Sequence, residues 1–273
     1  IEALEGYLRA RRDQDRQDVL RDVFEAAIAV LVEYGSPESL AALKTIASEH
    51  TSHVIRMLAI NAISTYLADH MLSLDDFIER NTPDFGLDER GRLWFDFGAR
   101  RIALALRQRG DWIFEEVGGT TYTSFPRKRK SDDPERYAAE RARFDQLRGP
   151  LFSSAQEHVA WLERVMIVGR TWRAPDWLER VMLHPLLGRP ARGLLWVVCS
   201  HDGRVEIARP DESGALMNID LETIDIRAES SDGEVASLRL LHPLELDADA
   251  IERWSMHLGE FEIVQPFEQI ARD

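Results

Sequence analysis

Apolar residues in the first third of the chain recur at steps of three and four. Val19, Leu20, Val23, Phe24, Ala27, Ile28, Leu31 and Val32 form one such stripe, which predicts an amphipathic helix over residues 17–34. Residues 1–12 read as the end of an earlier helix with a charged tail. Gly35-Ser36-Pro37-Glu38 closes one helix and opens the next: Gly tolerates the left-handed conformation, Ser caps, Pro fits the first turn and Glu complements the dipole. A second stripe runs through Leu40, Leu43, Ile46 and Ala47, and a third through Ile55, Leu58, Ala59, Ala62, Ile63 and Tyr66. Ser73 is placed to cap a short helix from Leu74 to Glu79. Short helices, tight turns and small residues where helices touch predict antiparallel helix pairs of HEAT-like form, with a plain bundle as the alternative.

Pro83 ends the helical part. A short strand is expected at Leu93–Gly98, helical spacing at Ile102–Leu106, and a hairpin or loop over Val117–Phe125 with Gly118-Gly119 and Thr120-Thr121 inside it. The most polar stretch, Pro126–Pro134, leads into a charged helix over about Glu135–Leu147. Separate helices follow at residues 155–170 and Asp176–Leu183. From Leu194 the period changes to two: Leu194–Cys199, the Asp202-Gly203 turn and Val205–Ala208 predict a β-hairpin. Strands are expected at Thr223–Ala228 and Val235–Leu241 around a Ser231-Asp232-Gly233 turn, a helix at Ala248–His257 and a last strand at Glu262–Val264. The fold class is therefore α+β, with a helical segment over 1–82 and a mixed module carrying a small antiparallel sheet over 83–273.

Composition narrows the function classes. The chain has 273 residues, 48 acidic against 34 basic groups, and a formal net charge of −14. Binding to nucleic acid or to an anionic membrane normally needs a basic excess, so the global balance disfavours both. Cys199 is the single cysteine, in an apolar run that predicts a buried, inert thiol, so neither an internal disulfide nor a cysteine-based zinc site can form. No apolar run reaches the roughly 18 residues of a membrane span, and there is no secretory signal; a cytoplasmic location is expected. The chain opens at Ile1 inside a helical pattern, as an excised piece of a longer protein would, and its arginine bias (lysine only at 44, 128 and 130) fits a GC-rich bacterial genome.

The search for chemistry finds no complete constellation. Gly188–Gly193 lacks the Lys-Ser/Thr of a phosphate loop, and no Gly-x-Ser-x-Gly elbow occurs. His50 and His53 have a metal-compatible spacing but no third ligand in reach, and His184-Pro185 and His242-Pro243 read as segment boundaries. No catalytic residue, metal or cofactor is expected. The sharpest local feature is Arg127-Lys128-Arg129-Lys130 followed by Asp132-Asp133. Across residues 121–150 eight basic groups face five acidic ones, a local excess of +3 in an acidic chain. Tyr122 and Phe125 stand nearby for stacking. Residues 228–273 carry the opposite bias, eleven acids against three arginines. Trp161 and Trp177 fall on apolar helix faces and are expected in the core.

Several strings together resemble a bacterial domain of unknown function found in MolR-like proteins, named as regulators of molybdate metabolism. They are Ala59-x-x-Ala62-Ile63 with Ala68, Thr82–Asp88 with Gly91, and Phe125-Pro126 before Asp132-Asp133. Arg170-Thr171-Trp172, His184-Pro185 and Leu194-Leu195-Trp196 follow, and the longest are Leu241–Leu246 and Gln265–Ile270 with Trp254. The resemblance spans most of residues 55–272 and implies a HEAT-like region before the domain, a longer parent protein with a missing C-terminal part, and no known activity. The sequence thus points to a non-catalytic interaction or scaffold module with a protein partner. The alternatives are a domain that binds a phosphorylated ligand or nucleic acid through Arg127, Lys128, Arg129, Lys130, Asp132 and Asp133, and an enzyme of unrecognised type using Asp132, Asp133 and His184.

Overall fold

The computed structural model describes residues 21–227 and 233–270, so the reading of residues 1–12 as a helix end lies outside the described residues. The chain divides into two compact units, Ile1–Pro83 and Asp84–Asp273.

In the first unit, α1 covers residues 21–34, followed by α2 (Pro37–Glu49), α3 (His53–Asp69) and α4 (Leu74–Arg80). The capping chemistry works as the residue types require. The Ser36 hydroxyl accepts from Ser39 N at 3.2 Å. Ser73 accepts from Asp76 N at 3.0 Å while the Asp76 carboxylate accepts from Ser73 N at 3.0 Å. Ile28, Leu40, Leu43, Ala59 and Phe77 form the core, with Ala59 letting α3 approach α2 closely. His50 is held locally, its Nδ1 accepting from Ser52 N and its ring edge-on to Phe24.

The second unit opens with a four-stranded antiparallel meander: β1 (Arg92–Asp96), β2 (Arg101–Leu106), β3 (Trp112–Glu116) and β4 (Thr121–Tyr122). Leu93, Phe95 and Phe97 alternate inward from β1, and Ile102, Leu104 and Leu106 from β2. The helical expectation for 102–106 is corrected here. Ile-Ala-Leu-Ala-Leu satisfies period two as well as period four, and the small Ala103 and Ala105 let the second face be covered too, leaving both buried.

One helix, α5 (Pro134–Ile167), lies over this sheet. The sequence predicts two helices here, over about Glu135–Leu147 and over 155–170, but the structure runs a single 34-residue helix through the gap, Gly149 and Pro150 included. Asp133 caps it, accepting from Glu135 N and Arg136 N at 2.9 Å each. Phe144 and Leu151 join the sheet's core, while Trp161, Leu162, Val165 and Met166 are buried further along. Arg143 Nη1 donates to the Trp94 carbonyl at 3.0 Å and Asp96 N to Glu140 Oε1 at 3.3 Å, fastening the helix to β1. A Cβ on Gly149 would meet nothing within 4 Å beyond its own turn of the helix and its neighbour Pro150, and its φ is not positive. Gly149→Ala is expected to fall short of the about 1 kcal/mol that glycine in a helix interior costs relative to alanine, because a Cβ before proline crowds the Pro150 ring in the α conformation; urea unfolding followed by tryptophan fluorescence checks it.

A second, six-stranded antiparallel sheet has the order β5-β10-β6-β7-β8-β9. Its strands are β5 (Thr171–Arg173), β6 (Trp196–Cys199), β7 (Val205–Pro210), β8 (Leu216–Met217), β9 (Thr223–Ile224) and β10 (Ser237–Leu240). The 194–208 hairpin forms as read, with Val197 opposite Ile207. The expected pairing of 223–228 with 235–241 does not: β9 pairs with β8, and β10 inserts between β5 and β6. Part of the intervening turn lies outside the described residues. Trp161, Trp172, Trp196 and Trp177 pack edge to face in sequence, with ring centroids 5.3–6.2 Å apart. Cys199 is half-buried rather than buried. Between β5 and β6 run α6 (Ala174–Trp177), a π-helical turn (Leu178–Met182) and α7 (Gly188–Arg192).

After β10, α8 (Ala248–Glu260) packs Trp254 and Leu258 on Leu195, Val197 and Leu241. The expected strand at Glu262–Val264 is absent. Ile263 N donates to the Leu258 carbonyl and Glu262 N to that of Gly259, a Schellman stop that puts Glu262 at φ +52° and uses these residues to end the helix. The last described segment is fixed by Gln269, fully buried, whose side chain completes the hydrogen bonding of Leu195 and Leu241. The class is α+β as the sequence predicts, with two sheets in place of one small one.

Candidate functional site

The segment that carries the local basic excess folds over the end of the first sheet, and its charges have unequal fates. Asp132 is buried, and the Arg100 guanidinium grips it with two contacts of 2.9 Å. Its Oδ2 also accepts from Arg129 N at 2.7 Å. The Arg100 hydrogen bonds, aided by the Arg129 amide, hold the Asp132 carboxyl below its ordinary pKa. Arg129 turns back to Glu116, donating from both Nη atoms at 2.9 Å, and to the Tyr122 hydroxyl at 2.7 Å. The Tyr122 hydroxyl donates to Glu116 at 2.5 Å, and this bond, with the Arg129 pair, lowers the Glu116 pKa. Asp133 is the α5 cap. Three of the six residues the sequence singles out, Arg129, Asp132 and Asp133, are thus engaged in holding the loop and starting the helix.

Arg127, Lys128 and Lys130 remain exposed. Arg127 is fixed by its backbone, its carbonyl accepting from Arg100 Nη2 at 2.7 Å. Its side chain lines a groove of about 450 Å³ between the loop, the sheet and α5. Leu104, Phe114, Phe125 and Phe144 form an apolar floor, and Trp112 and Phe152, stacked 5.5 Å apart and nearly parallel, form one wall. Around them stand the hydroxyls of Thr123 and Ser124 and three arginines, Arg127, Arg141 and Arg148. Arg141 lies 5.1 Å over the Phe125 ring while its Nε donates to Asp145 at 2.9 Å. Arg127 and Arg148 have no carboxylate partner among the described residues.

Arg141, Phe144, Arg148 and Phe152 are one face of α5 at steps of three, four and four. The expectation of two helices divides that face; the signal that joins it is the unbroken apolar series through Phe144, Leu151 and Ala155. Such a surface offers cations, hydroxyl donors and flat apolar contact. His184 is used locally, its Nδ1 accepting from Leu186 N and Leu187 N. Among the described residues no group of three or more His, Cys, Asp or Glu could hold a metal ion, and no helix is long and apolar enough to cross a membrane.

Comparison with known proteins places the chain without giving it an activity. It is 24% identical over 250 residues to "Uncharacterized protein YehI" of Escherichia coli (strain K12), an alignment that takes in 90% of this chain and 20% of that protein. The chain therefore spans about a fifth of the length of that curated relative. No solved structure matches. A family profile described as "Domain of unknown function (DUF4132)" matches residues 119–273, more than half of the chain and the part that holds the basic loop, α5 and the whole second sheet. The chain belongs to the DUF4132 family.

Proposed function

We propose that this chain is a non-catalytic interaction module that takes an acidic segment of a protein partner, anchored by an aromatic side chain, in the groove between the basic loop and α5. One observation carries this reading: Arg127 and Arg148, unpaired among the described residues, flank a floor of phenylalanine rings. In a chain of net charge −14 this is a local inversion of sign, and it favours an anionic partner. The floor gives an aromatic anchor a place to bury, the arrangement that dominates interface energetics. Lys128 and Lys130 extend the positive edge beyond the groove. A bacterial, cytoplasmic setting and a regulatory role inside a larger protein belong to the same reading.

The test uses a labelled eight-residue peptide of Asp and Glu around a central Phe, titrated against the full chain by fluorescence anisotropy. Binding is expected to weaken about tenfold, or ~1.4 kcal/mol, in Arg127→Ser/Arg148→Ser, and by a similar factor when the central Phe becomes Ser. Equal affinity for the Phe and Ser peptides, or for wild type and the double variant, overturns the reading. So does tighter binding of a single-stranded oligonucleotide than of the peptide, which would assign the groove to nucleic acid.

A further inference from the structure

A second concavity in the same unit has a different character. It is a cleft of about 560 Å³, within the range of small-molecule sites. Its arginines come from three places: Arg107 and Arg109 from the β2–β3 turn, Arg189 from α7, and Arg209 from the end of β7. The turn is rigid. Arg107 N donates to the Asp111 carbonyl at 2.9 Å, and Gly110 at φ +79° sits where a Cβ would lie 2.7 Å from Val159 Cγ2, so no larger residue fits.

Two of the four arginines are internally satisfied. Arg107 pairs with Asp111, and Arg189 pairs with Glu212 at 2.9 Å. The other two are not. Arg109 is exposed, with no partner among the described residues. Arg209 is only 7% exposed and has no carboxylate ion pair among the described residues. Its Nε donates to His257 Nε2 at 2.8 Å and its guanidinium stacks 4.4 Å over Phe261. Nη1 makes one long contact, 3.5 Å, to the Pro210 carbonyl, and Nη2 has no partner among the described residues. His257 must be neutral to accept that bond, and burial together with the Arg209 charge lowers its pKa accordingly. Behind the wall, Arg192 is 9% exposed, with a buried Nε that has no partner, and its charge acts on Arg189, Asp211 and Glu212.

A buried cation without a counter-ion is costly to a fold, and proteins normally pair it. Here one such cation, Arg209, stands at the cleft, locked in orientation by a histidine and an aromatic ring, and the exposed Arg109 lines the same cleft. Asp211, the acid whose charge acts on Arg209, is occupied by its own turn, accepting from Ser213 N, the Ser213 hydroxyl and Ala215 N. We propose that this cleft binds a small phosphorylated ligand, its phosphate taken by the guanidinium groups of Arg209 and Arg109 and its organic body laid against Pro210, Ile263 and Val264. A phosphate monoester carries close to two negative charges at neutral pH and presents several acceptor oxygens, matching two unpaired arginine forks better than a single carboxylate does.

The probe is phenyl phosphate, titrated calorimetrically into the full chain beside benzoate and phenol. Phenyl phosphate is expected to bind with a dissociation constant below about 1 mM, with benzoate at least about tenfold weaker and phenol silent. Arg109→Ser, on an exposed turn, is expected to weaken phenyl phosphate at least about tenfold. Arg209→Met, under conditions where it is fully folded, is expected to abolish binding. A merely structural Arg209 would leave the phenyl phosphate affinity of the folded variant unchanged, which overturns the proposal. The groove variant Arg127→Ser/Arg148→Ser is expected to bind phenyl phosphate like wild type, so this site and the peptide groove stand or fall separately. Absence of phenyl phosphate binding, an unchanged affinity in Arg109→Ser, or equal affinity for benzoate overturns the proposal. Should Arg209→Met fail to fold, Arg109→Ser and the benzoate comparison decide.

Discussion

Replacing Gln269 with leucine is expected to destabilise the second unit by about 3 kcal/mol or more. The side chain is fully buried and acts as a substitute strand. Its Oε1 accepts from Leu195 N at 2.7 Å, and its Nε2 donates to the carbonyls of Leu195 at 2.9 Å and Leu241 at 2.8 Å. Leucine fills the space but leaves the Leu195 amide and the Leu241 carbonyl without these partners, and each buried unsatisfied group costs about 1–3 kcal/mol. The Leu195 carbonyl keeps the Leu241 amide at 3.0 Å. Gln269→Glu is expected to be worse, because a carboxylate would face two carbonyl oxygens. Exposed Glu268 is the control, with Glu268→Ala within about 0.5 kcal/mol of wild type. Tryptophan fluorescence isolates the effect, since all seven tryptophans lie between Trp94 and Trp254 and report the second unit alone. A Gln269→Leu midpoint in urea matching that of Glu268→Ala would refute the assignment.

The same glutamine shows where the sequence is legible and where it stops being so. Gln265–Ile270 stands out as a string, yet nothing local says that its fifth member hydrogen-bonds Leu195, just before β6, from 74 residues away. Features set by near neighbours are readable: the caps at Ser36 and Ser73, the alternation in β1, the Asp202-Gly203 hairpin, and the change from a helical front to a sheet-bearing rear. Features decided by packing are not. Gly149-Pro150 is a local stop signal, but Phe144, Leu151 and Ala155 on one side of α5 keep the helix intact through it. Ile102–Leu106 fits two periods, and only the layers on both of its faces select the strand.

The candidate sites follow the same rule. The basic loop is visible as a charge run, while the division of its charges depends on Glu116 and Arg100, which lie on or beside strands the sequence does not connect to it. The arginine cleft is invisible in one dimension. Arg109, Arg189 and Arg209 lie far apart in sequence, none of them in a contiguous basic run, and are brought together by the β2–β3 turn, α7 and β7.

Asp132→Asn tests how the loop's structure and the proposed partner groove depend on each other. Arg100 and Asp132 are 7% and 0% exposed at the side chain, so this pair is barely screened by solvent. Removing one charge from a buried pair costs about 3–5 kcal/mol. Glu116 still stands 3.5 Å from Arg100 Nη1, so a loss near 3 kcal/mol is expected. Asp133→Ala, which removes only a helix cap, is expected to cost about 1 kcal/mol. Both Asp132 and Glu116 have folded pKa values below their ordinary ones. The folded state therefore binds fewer protons than the unfolded chain through the acid range. Their contribution is complete above the unfolded carboxyl values of about 3.9–4.3 and is lost as pH falls through the lower folded values. Between about pH 5 and pH 2.5 the wild-type urea midpoint is expected to fall more steeply than that of Asp132→Asn. Parallel slopes would show that the carboxylate is not held as described. The variant also reaches the groove without touching it. Arg100 positions Arg127 through its carbonyl, so loosening Arg100 frees Arg127 to leave the rim while its own charge is unchanged. Under conditions where Asp132→Asn is fully folded, weaker binding of the acidic peptide with unaltered binding of phenyl phosphate would tie the groove's affinity to this buried pair. Unchanged peptide affinity would mean that Arg127 needs no such support.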